Sequence, residues 1–395
     1  VQTTQKALPS FENTHIAFKA KANSDLNRSY FLFKAIGYNW LVKLGPALVE
    51  TAFNLHLPVK GIIKSTVFKQ FCGGESMDEC NPTMQELYNY GIGSILDYSV
   101  EGKEEEKEFD HTMNETIDTI HKAQNNPQIP FCVFKVTGLA RFDLLAKVNS
   151  KTKLDVSEAD EYKKVISRIE RICQTAHDKQ VRIFIDAEES WIQDAIDNLT
   201  HDMMLKFNRN EAIVYNTVQL YRHDRLAFLK QSYDEAVKQN YYYGVKLVRG
   251  AYMEKERARA TEMNYTSPIQ PDKVSSDRDY DDALRFCIKH IDRIRICAGS
   301  HNERSSLLLA ELMQENHIAN DDKRIYFSQL FGMSDHISYN LANAGYNVAK
   351  YLPYGPVKSV LPYLFRRAAE NTSVKGQSSR ELMLIAKERS RRKHS

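Results

Sequence analysis

The sequence predicts an α/β fold, a (β/α)8 TIM-like barrel with an N-terminal helical arm, and three observations carry that prediction. After Cys72-Gly73-Gly74, short β-branched or aromatic runs recur between longer, charged, helix-like stretches. Eight such runs follow at an average spacing of about 36 residues, room for a strand, a crossover helix and two loops. No GxGxxG or GxxxxGK[ST] phosphate turn occurs, whereas an open doubly wound sheet would want one after an early strand.

Taken in order, residues 1–70 read as the helical arm. Apolar residues fall at helical spacing in Tyr30-Phe31-Leu32-Phe33-Lys34-Ala35-Ile36 and again from Leu48 to Leu55. Such a face is usually buried on the main domain, and the other use is to lie on a membrane. Residues 71–375 are expected to form the barrel, with strands at Ser94–Ser99, Phe131–Thr137, Arg182–Glu188, Ile213–Gln219, Gly244–Arg249, Ile294–Ser300, Ile325–Leu330 and Val348–Leu352. The long polar interval between the second and third strands, with Asn149-Ser150-Lys151-Thr152-Lys153 and Ser157-Glu158-Ala159-Asp160-Glu161, reads as an extended helix and loops, not a second domain. Residues 376–395 are a helix end and a basic tail. From Lys387 to His394 the tail holds five Lys or Arg against one Glu, which suits either anionic headgroups or a solvated, frayed end, and the frayed end is the expectation.

Composition narrows the class. Of 395 residues, 42% are hydrophobic and 27% charged, a balance that fits a globular protein and argues against disorder. The apolar runs are too short to span a bilayer. With 54 Lys plus Arg against 51 Asp plus Glu the formal charge is only +3, which gives little support to a general nucleic-acid binder. The six cysteines, Cys72, Cys80, Cys132, Cys173, Cys287 and Cys297, show no CxxC pair and no zinc spacing. Packed thiols in a reducing compartment are expected, and the sequence opens at Val1 without a signal-peptide pattern.

A parallel barrel places its active site where strands end. Nearly every expected strand ends in polar side chains: Asp97 and Glu101, Lys135, Asp186 with Glu188 and Glu189, Asn216 and Gln219, Lys246 and Arg249, Ser300-His301-Asn302, Gln329, and Lys350 with Tyr351. Each alone could be a loop solvator or a rim ion pair. Their convergence is what points to a site.

Beyond the last strand, Tyr363, Arg366, Arg367 and Glu370 stand at i, i+3, i+4 and i+7, one face of a helix. Adjacent guanidiniums beside an aromatic ring suit a carboxylate carried on an apolar ring, because the planar fork of Arg gives two parallel hydrogen bonds. An ordinary surface Arg-Arg pair is the bland alternative.

Seven segments together resemble the proline dehydrogenase family: Lys-Val-Thr-Gly-Leu-Ala-Arg (135–141), Ile-Asp-Ala-Glu-Glu (185–189), Asn-Thr-Val-Gln-Leu-Tyr (216–221), Val-Lys-Leu-Val-Arg-Gly-Ala-Tyr (245–252), Ser-His-Asn (300–302), Tyr-Leu-Pro-Tyr-Gly-Pro (351–356) and Arg-Arg-Ala-Ala-Glu-Asn (366–371). The likeness runs in order from about residue 70 to 372, and the arm resembles the stand-alone, single-function members more loosely. The resemblance implies a distorted barrel that binds FAD and oxidises L-proline to Δ1-pyrroline-5-carboxylate, the first step of proline catabolism. It implies that Lys135, Asp186, Tyr351, Tyr363, Arg366 and Arg367 line the proline site, with both arginines on the carboxylate and Leu330 and Tyr252 on the ring. Gln219, Lys246, Val248, Arg249, Gly250, Ala251, His301, Asn302 and Glu370 fall at FAD positions, and Glu101 is implied to pair with Arg366. Lys246 and Arg249 are interchanged in type relative to the fused bacterial enzymes, both remaining cationic. Implied partners are a membrane quinone and a separate pyrroline-5-carboxylate (glutamate semialdehyde) dehydrogenase. The implied location is the cytoplasm, with peripheral contact on the inner face of a bacterial membrane, or the mitochondrial inner membrane and matrix.

Competing readings follow from the same residues. Hydroxyproline dehydrogenases tend to carry a small Ser where this chain has Tyr351, so proline is the expected substrate. A flavin-free barrel lyase would use Lys135 as a Schiff-base nucleophile. A binding protein would use the arm and basic tail, with the barrel inert.

Overall fold

The computed structural model describes residues 8–38, 58–100, 105–373 and 377–394 and the single positions 45, 49, 51 and 55, with the backbone alone over 369–373 and 377–379. Eight strands occur, β1 (Ile92–Tyr98), β2 (Cys132–Lys135), β3 (Ile183–Asp186), β4 (Val214–Gln219), β5 (Tyr243–Val248), β6 (Ile294–Gly299), β7 (Ile325–Leu330) and β8 (Val348–Tyr354). They lie in the order β1-β8-β7-β6-β5-β4-β3-β2, with helices in the connections, the (β/α)8 class. Each expected run is a strand, with no end moved by more than two residues. β8 continues through Pro353, which can sit there because its carbonyl is what the neighbouring chain uses: Gly73 N donates to Pro353 O at 2.8 Å.

The helices that matter below are α1 (Thr14–Ala17), α2 (Asn23–Ile36), α3 (Asn81–Tyr88), α4 (Glu106–Ala123), α5 (Phe142–Asn149), α6 (Val156–Asp178), α7 (Ser190–Phe207), α8 (Arg225–Lys238), α9 (Met253–Glu262), α10 (Lys273–Lys289), α11 (Glu303–Glu315), α12 (Asp335–Asn343), α13 (Leu361–Ser373) and α14 (Gln377–Lys393). The chain divides into two compact units, one of Gly102–Ser328 with Val1–Leu8, the other of Pro9–Glu101 with Gln329–Ser395.

In the first unit the strands bury both faces, as Ile183, Phe184 and Ile185 in β3 and Val245 and Leu247 in β5 show. Before β3, Arg182 lies 5.5 Å from the ring of Phe131, which stacks on Phe184 at 4.4 Å, so this end of the strands is closed by aromatic and cation–π packing. The polar interval between β2 and β3 forms α5 and α6. Asp155 and Glu158 start α6 as a reciprocal cap, Glu158 N to Asp155 Oδ1 at 2.9 Å and Asp155 N to Glu158 Oε2 at 3.1 Å. Val165, Ile169, Ile172, Cys173 and Ala176 then bury one stripe of that helix.

In the second unit the arm is folded. Leu26, Phe33 and Ile36 of α2 join a core with Phe68, Phe71, Val360, Leu364, Leu384 and Ile385, so the apolar stripe of α2 meets the C-terminal helices. Gly332 packs so closely there, at φ +76°, that an added Cβ would fall 1.9 Å from Gln70 O. The basic tail departs from the frayed end that its composition suggests. It is helical as α14, and its guanidiniums take acceptors between the end of α1 and the start of α2: Arg392 donates to Lys21 O and Phe18 O, each at 2.7 Å, and to Asn23 Oδ1 at 2.9 Å. Arg389 donates to Asn27 Oδ1 at 2.8 Å and sits 4.1 Å from the Tyr30 ring. Glu388 is buried between Arg391 and Arg392.

All six cysteines are buried and in no disulfide. Among the described residues no helix is long and apolar enough to cross a membrane, and no His, Cys, Asp and Glu cluster could hold a metal ion.

Candidate active site

Parallel register sets the first group of side chains. Lys135 and Asp186, the last residues of β2 and β3, are direct Cα partners. One strand beyond β4, Lys246 is buried in β5 opposite Thr217 and Cys297. Its ammonium donates to Asp186 Oδ1 and lies 5.1 Å from the Phe184 ring. The carboxylate and the negative face of the ring both attract this buried cation.

Arg249 follows β5 and is held on three sides. Its Nη1 donates to Asp277 Oδ1 at 2.6 Å and its Nη2 to Ser300 Oγ at 2.8 Å and Ser305 Oγ at 3.1 Å, with the guanidinium 3.9 Å from the Tyr280 ring. Asp277, on α10, was not among the expected residues. A carboxylate inside the acidic Ser-Ser-Asp-Arg-Asp run of a helix carries no sequence signal that distinguishes it from a solvated face. Asn302 is engaged as well: its Oδ1 caps α11 by accepting from Ser305 N at 3.2 Å, and its Nδ2 reaches Asp277 Oδ2 at 3.5 Å. His301 beside it is half-buried.

Gln219 ends β4 with only 1% of its surface exposed. Its Nε2 donates to Glu188 O at 2.6 Å and to the Tyr221 hydroxyl at 2.9 Å, while its buried Oε1 has no hydrogen-bond partner among the described residues. An acceptor left so in the interior costs about 1–3 kcal/mol, which a donor from a bound group would recover. After the half-buried Val248 and Arg249 come Gly250 and Ala251, both exposed. Gly250 has φ +88° and open space where a Cβ would stand, a bare stretch of backbone that a ligand can approach. Tyr252, half-buried, leads into α9. Glu188 is enclosed at the end of β3, and burial pushes its carboxyl up to about 7, against the opposing pull of hydrogen bonds from Thr137 and the charge of Lys135.

The second unit holds the other expected residues. On α13, Tyr363 and Arg367 are buried one turn apart with the Arg367 guanidinium 5.0 Å from the Tyr363 ring, and Arg366 is half-buried beside them. The expected helix is present, and Tyr363 and Arg367, at i and i+4 of the expected face, meet on it. Tyr351 is buried in β8, its carbonyl accepting from Phe331 N at 2.8 Å just past Leu330, the half-buried end of β7. Lys350 is not an open strand-end cation. Wholly buried, it pairs with Asp335 Oδ1 at 2.8 Å and donates to Met333 O at 2.8 Å and Leu330 O at 3.4 Å. Asp335 also meets Lys21 of the arm at 2.7 Å. Burial alone would raise the Asp335 carboxyl, but the two ammonium groups outweigh it and hold it well below the usual carboxylate range. Glu101 and the side chain of Glu370 lie outside the described residues, and the expected Glu101 to Arg366 pair with them.

A family model described as "Proline dehydrogenase" matches residues 80–380. The chain belongs to the proline dehydrogenase family. It is an oxidoreductase acting on proline. Among its relatives, the carbapenem antibiotics biosynthesis protein CarD of Pectobacterium carotovorum subsp. carotovorum is 36% identical over 84% of this chain and 86% of its own length. The mitochondrial proline dehydrogenase 1 of Dictyostelium discoideum is 32% identical over 96% of this chain and 74% of its own length. Among solved structures, proline utilization A (PutA) from Bdellovibrio bacteriovorus, inactivated by N-propargylglycine, shares the fold with a TM-score of 0.71 at 21% identity. That match covers 92% of this chain and 38% of the solved one, so the chain spans well under half the length of that protein.

Proposed function

We propose that this family member removes a hydride from the ring carbon next to nitrogen and a proton from the nitrogen of L-proline, giving Δ1-pyrroline-5-carboxylate, with FAD as the hydride acceptor. No side chain accepts a hydride, and when bound the flavin supplies that capacity. The buried, unanswered Oε1 of Gln219 carries the cofactor reading. The bare backbone at Gly250 fits it too, as do the cations Lys246 and Arg249, which suit a group that gains negative charge on reduction. Val248, Ala251, His301, Asn302 and Glu370 complete the set that would hold it.

For the substrate, Arg366 and Arg367 take the carboxylate, and the stacking of Arg367 on Tyr363 sets the guanidinium plane for a bidentate grip. Leu330, Tyr252 and Tyr363 exclude water from the ring. Lys135, Asp186 and Tyr351 orient the amine, which binds neutral so that its proton leaves as the imine forms. The bulk of Tyr351 disfavours a 4-hydroxyl. Electrons leave for a membrane quinone, and a separate pyrroline-5-carboxylate dehydrogenase consumes the product.

The absorption spectrum of the purified protein tests this reading. Flavin bands that bleach on adding L-proline, and far less on adding trans-4-hydroxyproline, are the expected result. A colourless protein trapped by borohydride with a carbonyl substrate would replace it with Schiff-base chemistry at Lys135.

A further inference from the structure

Glu188 is a buried acid of the first unit held through both its side chain and its backbone, and the proposed roles leave it unused. Its carboxyl accepts from Thr137 twice, from the backbone N at 3.1 Å and from the hydroxyl. Its backbone is fixed separately: Glu188 N donates to Gln193 Oε1 at 2.7 Å, and Glu188 O accepts from Gln219 Nε2 at 2.6 Å. Gln193 is itself anchored, its Nε2 donating to Asp197 Oδ1 at 3.0 Å, and Asp197 accepts from Asn216 Nδ2 at 2.9 Å and Arg225 Nη2 at 2.7 Å. A continuous line of buried polar groups thus runs from α8 through α7 to the ends of β2, β3 and β4. Such a network rigidifies what it touches where its members are satisfied, as the Glu188 carboxyl, Gln193 and Asp197 are, while Gln219 Oε1 and Arg225 Nε are left without partners among the described residues.

What it touches at one end is a single turn. Thr137 lies in the 3-10 turn Val136–Gly138, which starts directly after Lys135. Without the Glu188 carboxyl, the amide and hydroxyl of the half-buried Thr137 would lose the acceptor that fixes them and would turn to water or to other groups. We propose that Glu188 is a positioning residue for the reaction: anchored by Gln193 and Gln219, it fixes the turn after β2 and through it the aim of Lys135. This rests on the substrate role of Lys135 proposed above. At its other end the same residue orients Gln219, so one acid ties the substrate-side and cofactor-side strand ends together. The charged groups around it are Lys135 from β2 and its neighbour Glu189, which pairs with Lys255 of α9.

The test compares Glu188→Ala with Glu188→Gln in the flavin-loaded protein. Glu188→Ala is expected to lower kcat/KM for proline by about tenfold to a hundredfold, the scale of a misplaced reacting group, and to speed hydrogen exchange at the Thr137 amide. Glu188→Gln keeps an acceptor for that amide, so it should restore most of both. Unchanged Thr137 exchange in Glu188→Ala, or loss of activity only in proportion to unfolded protein, would overturn the proposal. Should Glu188→Ala fail to fold, Thr137→Val removes the hydroxyl contact alone and must lower kcat/KM at unchanged melting temperature, or the proposal fails. A protein that does not oxidise proline at all would sink the parent reading instead, and the exchange measurement would still report on the turn.

Discussion

Lys246 of β5 and Lys350 of β8 look alike along the chain, each an isolated cation inside an apolar strand, and each pairs with an aspartate. Their surroundings differ. Lys350 is wholly buried and spends its three N–H donors on protein, Asp335 and the carbonyls of Met333 and Leu330, while Asp335 takes a second ammonium from Lys21. Lys246 pairs with Asp186, whose side chain keeps 14% of its surface exposed and whose register partner is Lys135. A lysine consumed by backbone carbonyls holds the turn after β7 in shape. One whose partner still reaches the surface can share that partner with a ligand. The same pair of residue types therefore serves stability in one unit and, under the function proposed above, chemistry in the other.

The largest effect expected of this contrast is on folding. Asp335→Ala strands the Lys350 ammonium in the interior, and breaking a buried pair from one side costs about 3–5 kcal/mol. The denaturant midpoint measures it, and a loss below about 1 kcal/mol would erase the distinction drawn between the two lysines. Since the Asp335 carboxyl is depressed, its contribution is present above the ordinary aspartate range and is lost as pH falls below that range.

Asp186→Asn should do the reverse. Loss of one charged partner is expected to change stability by about 1 kcal/mol while kcat/KM for proline falls by about tenfold or more. Equal stability losses in Asp186→Asn and Asp335→Ala, with normal turnover in the former, would make both pairs structural.

Glu188 gives a subtler effect, read against pH. Its carboxyl titrates near 7 in the folded protein against an ordinary value of 4.5, so the folded state binds more protons than the unfolded one between these values. Stability must then fall as pH rises through this window, and the penalty is complete above about 7. Glu188→Gln removes that slope. Its melting temperature relative to the parent protein should improve from about pH 5 to about pH 7 and level off above that, and a difference that is flat across the window would show that the acid does not titrate there.

How far the sequence anticipates these differences depends on what each residue's signal is made of. All eight strands are legible because β-branched runs between helical stretches repeat at a regular interval, and the α13 face is legible because Tyr363, Arg366 and Arg367 follow helical spacing. Strand ends blur at β2 and β3, where Thr137 and Glu188 continue an apolar run but bond to each other across the turn instead of extending the ladder. Lys350 cannot be told from Lys246, because three of its partners, Asp335 and two backbone carbonyls, lie 15 to 20 residues away and only folding brings them in. Asp277 and the cations of α14 are hidden for the same reason: a charge on a helix looks solvated until its long-range acceptor or donor is known.

The smallest effect carries the comparison out to the surface, where the same chemistry loses its leverage. Glu75 meets Lys64 at 2.7 Å and Lys60 at 3.0 Å, but the two ammonium groups are 45% and 59% exposed, and solvent screens the pair. The hydrogen bond from Lys64, then that from Lys60, draws its carboxyl down to about 2 in spite of some burial. A depressed carboxylate stabilises above its ordinary value of 4.5, and that contribution drains away as pH falls toward 2. Glu75→Gln should therefore cost at most about 1 kcal/mol at neutral pH, and less in about 1 M salt. The loss should close up on acidification. A cost that survives both salt and acid would belong to the hydrogen bond from Val357 N, 3.4 Å from Oε2, which a glutamine can keep only in one rotamer, and not to the lysines.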